Sequence, residues 1–102
     1  MISHIVLVKF TPEATPEQKK MWREEIIALG QKIEQVTETR AGEKITIARA
    51  AHLDGGFEDG VILTLADMDA YLAYVASPHH ASYKEKTNPI IAAKLVYNIE
   101  SK

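Results

Sequence analysis

The segment "SHIVLVKF", Ser3 to Phe10, narrows the folding choices more than any other stretch of the chain. Read as a strand, it puts His4, Val6, Val8 and Phe10 on one face and Ile5, Leu7 and Lys9 on the other, so both faces are largely apolar. "GVILTLA", which starts at Gly60, has the same character. Strands of this kind belong in a sheet covered on both sides. A chain of 102 residues is expected to form a single domain, residues 1–102, with one small core and too little material to cover both faces by itself. The uncovered face therefore calls for a second copy of the chain, a homodimer.

The remaining elements follow in order. Thr15, Pro16 and Gln18 have the layout of an N-cap, a first-turn proline and the reaching amide of a capping box, so a helix starts near Pro16. Trp22, Ile26, Leu29, Ile33 and Val36 then form one apolar stripe, with Lys19, Lys20, Glu24 and Glu34 left to solvent. From Thr37 to Ala51, including "EKITIARA", weak alternation predicts a strand that gives way to the loop "HLDGGFED". After the Gly60 strand, Asp67 caps a short helix whose inward face is expected to carry Met68, Tyr71, Leu72 and Val75, with Tyr74 at its edge. Ser77 and Pro78 stop that helix and begin another, "HHASYKEK"; Asn88 and Pro89 interrupt again, and "AKLVYNIE" closes the chain as a strand. The order is β-α-β-β-α-β with its second helix split. This predicts an α+β, ferredoxin-like fold, one antiparallel sheet with helices on one face.

Several function classes lack support. The 12 lysines and arginines are scattered and the net charge is -2, so neither nucleic acid nor an anionic membrane is expected as a partner. No run approaches the roughly 18 to 20 apolar residues of a membrane helix. With no cysteine there is no thiolate nucleophile or disulfide, and the first residues run directly into a strand, from which a cytoplasmic location is expected. Nothing has the spacing of a zinc motif, a nucleotide-binding glycine loop or a serine elbow, so no metal is expected.

"SPHHASY", Ser77 to Tyr83, holds the residues best suited to moving protons. Adjacent helical residues diverge by about 100 degrees, so His79 and His80 cannot both face inward. "HIVLVKF", "AYLAYVASPHHASY" and "KLVYNIE" together resemble the stress-responsive dimeric α/β-barrel (Dabb) domain family over essentially the whole chain. The resemblance implies a ferredoxin-like protomer whose open sheet face packs on a second copy to form a dimeric α/β barrel. A branch similar to plant olivetolic acid cyclase closes a polyketide by an aldol reaction without metal or cofactor. By motif position, the general base falls on His80, the carbonyl-orienting tyrosine on Tyr74 and the first-strand histidine on His4, with His79 facing solvent. Ser77 takes the place of the motif's first histidine, and Asp59 that of a histidine before the third strand. The pocket this implies would be lined by Asp59, Trp22, Ile26 and Val61 and would take a small apolar, phenolic or keto ligand. Two functions are then expected in competition: a cofactor-independent cyclase or isomerase, and a non-catalytic ligand-binding or stress-response dimer.

Overall fold

The computed structural model describes residues 1–101. In chain order it contains β1 (Ile2–Phe10), α1 (Pro16–Lys32), β2 (Val36–Glu43), β3 (Asp59–Leu65), α2 (Met68–Ala76), α3 (Pro78–Thr87), a 3-10 turn at Asn88–Ile90 and β4 (Ile91–Glu100). The strands form one sheet in the order β2-β3-β1-β4, and every neighbouring pair is antiparallel. This is the α+β, ferredoxin-like arrangement expected from the order of elements.

Local chemistry fixes where the helices start. The Gln18 backbone N–H donates to Thr15 Oγ1 at 3.1 Å, and the Thr15 N–H donates to Gln18 Oε1 at 2.8 Å, which completes the capping box of α1. Asp67 accepts from the Ala70 N–H at 2.9 Å. Ser77 ends α2 and at the same time caps α3, its hydroxyl accepting from the His79 N–H at 3.2 Å. No linker separates the two helices, so the direction in which His80 points is set by one serine and the proline after it.

The inner row of β1 is buried at every second residue, from Ile2 to Phe10. It packs with Val61, Leu63 and Leu65 of β3 and with Trp22, Ile26, Leu29 and Ile33. Gly30 presses α1 onto β2 so closely that a Cβ there would overlap the side chain of Thr39. At the other edge no helix packs broadly on β4, whose residues after Ile91 are all exposed. The helical layer is therefore offset toward β2, and the inner surface near the β1–β4 edge is left uncovered.

Two expectations need correction. "EKITIARA" is not a strand beyond Glu43. β3 begins at Asp59, opposite Glu43, and the Lys44 N–H donates to the Glu58 carbonyl at 3.0 Å, so the ladder closes and the next residues have no strand to pair with. Ile45 and Ile47, at 81% and 52% exposure, lie in the connection instead. In α2 the inward strip consists of Tyr74 with Ala70 and Tyr71, while Met68, Leu72 and Val75 are exposed. A helix of 9 residues buries only a narrow strip, and Tyr74 occupies it. Val36, the last residue of the expected helical stripe, belongs to β2.

On the outer face, Ile5 of β1 lies between Ile62 of β3 and Tyr97 of β4, and Leu7 lies beside Leu95. Leu95, Tyr97 and Ile99 are 41%, 60% and 44% exposed, so this apolar face has no cover among the described residues.

Candidate functional site

A cavity of about 300 Å³ lies where the layer offset leaves the inner surface of β1 and β4 open. Val6, Ile26, Val75 and Val96 give it apolar walls, and His4, Tyr71, Tyr74 and His80 converge on it from three elements.

His4 projects from the inner row of β1 opposite Asn98 of β4. It is 5% exposed, and its Nδ1 donates to Asn98 Oδ1 at 2.6 Å. An amide oxygen only accepts, so this bond places the proton on Nδ1 and leaves the Nε2 lone pair free in the neutral ring. The His4 ring stands edge-on to Tyr71 at 5.4 Å and to Tyr74 at 5.5 Å between centroids. Burial lowers the His4 pKa below the ordinary imidazole value, with the Asn98 bond acting the other way.

Tyr74 is buried, and its ring lies 4.9 Å from that of His80. Burial drives its hydroxyl pKa far above the usual phenol value, with Tyr83 and Tyr71 adding to the shift, so it stays a hydrogen-bond donor. His80 is half-buried. Its pKa is lowered by burial first, then by the positive charge of Lys84, by His4 when that ring is protonated, and by Lys94, while the Val75 backbone carbonyl opposes them. The result is a neutral imidazole beside a protonated phenol, the pairing needed to take a proton from carbon and hold the oxygen that gains charge.

His80, Tyr74, His4 and Ile26 thus share one cavity, whereas Trp22, Val61 and Asp59 do not line it. Trp22 is wholly buried in the core; its indole N–H donates to Tyr83 Oη at 2.8 Å, so it braces the pocket wall from behind. Val61, 1% exposed, also belongs to the core. Asp59 pairs with Val8, four residues along β1 from His4, because the antiparallel register carries the start of β3 to the far end of the sheet. There its Oδ2 accepts from Arg23 Nε at 2.9 Å and Nη2 at 2.7 Å. Burial raises the Asp59 pKa and the Arg23 bond opposes the rise. His79 is exposed and lies on the Glu25 and Lys86 side of α3.

Sequence reasoning missed Lys84, Lys94, Val96 and Asn98 as neighbours of the site. A signal was present: if Leu95, Tyr97 and Ile99 form the outer row of β4, the residues between them form the inner row beside β1. A larger cleft of about 510 Å³ adjoins Asp59, but Arg23 is paired there with Asp59 and Glu43, and Lys19 with Glu58. It is an ion-pair network at the foot of α1 and shows no converging base and donor.

The buried neutral histidine has a measurable consequence. Unfolded, His4 takes up a proton near its ordinary pKa of about 6.5, whereas the folded chain resists it. Stability is thus expected to fall as pH drops through and below that value, since the unfolded state binds more protons there. Urea midpoints from about pH 7 to about pH 5 are expected to fall less steeply for His4→Gln. An unchanged slope would remove His4 as the cause.

The family model described as Stress responsive A/B Barrel Domain matches residues 2–101. No curated protein matches the chain. Among solved structures, a dimeric ferredoxin-like protein of unknown function from Thermobifida fusca is similar, with a TM-score of 0.83 at 21% identity over 98% of this chain and 90% of that one. A Dabb family protein with a ferredoxin-like fold from Mesorhizobium loti aligns with a TM-score of 0.80 at 19% identity, covering 99% and 96% of the two chains. The hydroxynitrile lyase of Passiflora edulis aligns with a TM-score of 0.86 at 16% identity, covering 96% and 90%.

Proposed function

The chain belongs to the stress responsive A/B barrel domain family, and from that premise we propose that it is a homodimeric, cofactor-independent cyclase or isomerase acting on a small keto or phenolic compound. The observation that carries this reading is the Tyr74–His80 pair, rings 4.9 Å apart, on the wall of an otherwise largely apolar cavity. His80 takes a proton from the carbon next to a carbonyl. The electron pair of that C–H bond moves onto the carbonyl oxygen, which accepts a hydrogen bond from Tyr74. In an isomerase the proton returns from His80 to a different carbon. In a cyclase the enolate carbon attacks a second carbonyl of the same molecule, and the proton passes to the new alkoxide. His4, its Nδ1 engaged by Asn98, offers a second polar contact at the same wall. Dimerisation is supported by the uncovered apolar sheet face and by similar structures described as dimeric.

One observation favours a second reading. Burial and the charges of Lys84 and Lys94 weaken His80 as a base, which suits a dimer that binds an apolar or phenolic ligand without turning it over. Deuterium exchange at the methylene of 4-hydroxyphenylacetone separates the two. The catalytic reading expects accelerated exchange that falls on the order of 10²-fold or more in His80→Ala and in Tyr74→Phe. Binding of the ketone with no acceleration by the native protein would leave only the non-catalytic dimer.

A further inference from the structure

We infer that the pocket is built for an anionic ligand, a phenol or ketone bearing a carboxylate, with the carboxylate held between Lys84 and Lys94 and the other oxygen directed at Tyr74 and His80. This rests on the reading of His80 and Tyr74 as the ligand-facing pair and adds the charge of the ligand to it.

Lys84 follows His80 by one helical turn, so the two share a face of α3. Lys94 stands on the inner row of β4, beside Val8 and two residues before Val96. Both lysines line the same cavity as His4, Tyr74 and His80, and no aspartate or glutamate lines it. This is unusual for a chain with more acidic than basic residues and a net charge of -2. Lys19, Arg23, Arg40, Lys44 and Lys86 each pair with a carboxylate; among the described residues Lys84 and Lys94, like Lys9, Lys20, Lys32 and Arg49, pair with none, and of these unpaired cations they are the two that line this cavity. Lys94 Nζ has only a neutral partner, donating to Asn88 Oδ1 at 2.8 Å. Two exposed cations without carboxylate partners, lining the same cavity as a half-buried imidazole and a buried hydroxyl, match a molecule that is charged at one end and carries an oxygen on its ring or chain. From Lys94 to Asn98 the strand advances about 13 Å, enough for a ring and a short acidic arm.

The test compares 4-hydroxyphenylacetate with 4-hydroxyphenylacetamide, which has nearly the same shape and no charge, by titration calorimetry on the full chain. The acid is expected to bind at least about tenfold more tightly than the amide at low salt, and the preference to shrink as salt is added. Lys84→Met and Lys94→Met are each expected to lower this ratio, and the double variant to bring it close to one. Lys20→Met, in the separate charged cleft, should leave it alone. Equal binding of acid and amide, a preference that survives the double substitution, or binding of neither overturns the inference. The His80 ring resonances, followed in the same titrations, separate it from the underlying reading. If the amide shifts them and no preference appears, the ligand-facing pair stands and the carboxylate site falls. If a lysine-dependent preference appears and His80 never responds, the carboxylate site stands and His80 loses its role.

Discussion

Replacing Ile5 by glutamate is expected to leave a folded monomer of 11.4 kDa where the native protein is expected to have about twice that mass. Ile5 sits in the middle of the outer sheet face, with Ile62 and Tyr97 on either side. In a two-fold interface the same patch meets itself, so one substitution places two carboxylates in the buried centre. Neither has a partner there, and the cost of leaving charges uncompensated is on the order of several kcal/mol, enough to weaken association by about a thousandfold. Within the protomer, the same side chain would simply face water. Light scattering at micromolar concentration, with circular dichroism to show that the fold survives, gives the answer. A folded Ile5→Glu protein that keeps the native mass would mean that association does not use this face.

The second large effect belongs to Trp22. Trp22→Ala removes a side chain that is 0% exposed, stands edge-on to Phe10 at 6.0 Å between centroids, and supplies the donor for Tyr83 Oη. A loss of about 3–5 kcal/mol is expected, from the cavity and from a buried hydroxyl left without its partner. Small domains are stable by only about 5–15 kcal/mol, so the variant should be close to unfolding. Trp22→Phe keeps most of the volume and should lose clearly less. Denaturant midpoints compared at one protein concentration measure both, the concentration being fixed because any association of folded chains adds to apparent stability. If Trp22→Ala cost less than about 1 kcal/mol, the residue would belong to an adaptable pocket wall and not to the core.

The sequence revealed most where one residue does one local job. Thr15 with Gln18, Asp67, and Ser77 with Pro78 mark helix starts through bonds that span three or fewer residues, and each bond is formed. The strand character of β1 was legible because apolar residues stand in both of its rows, and the row from Ile2 to Phe10 is the buried one. Legibility failed where a partner distant in the chain decides. "EKITIARA" alternates, but a strand needs a neighbour, and β3 supplies one only as far as Glu43. Met68, Leu72 and Val75 form as good an apolar stripe as Ala70, Tyr71 and Tyr74, and only tertiary packing chooses between them. Asp59 was separated from His80 by register, a property of three strands together. Lys94 went unnoticed because the inner row of an edge strand has no composition of its own.

The offset of the helices toward β2 divides the molecule's work between two sets of residues. Trp22, Leu29, Leu63 and Leu65 hold the layers together and stay out of the cavity, while Val75, Lys84, Lys94 and Val96 line it and remain exposed. Exposed positions tolerate substitution at a cost usually within about 0.5 kcal/mol, whereas core positions do not. The room for a ligand comes from where the helices lie, so it persists when the lining changes. A fold arranged this way can acquire a new ligand preference through a few nearly neutral substitutions, and descendants of one ancestor can diverge in chemistry while their backbones still superpose.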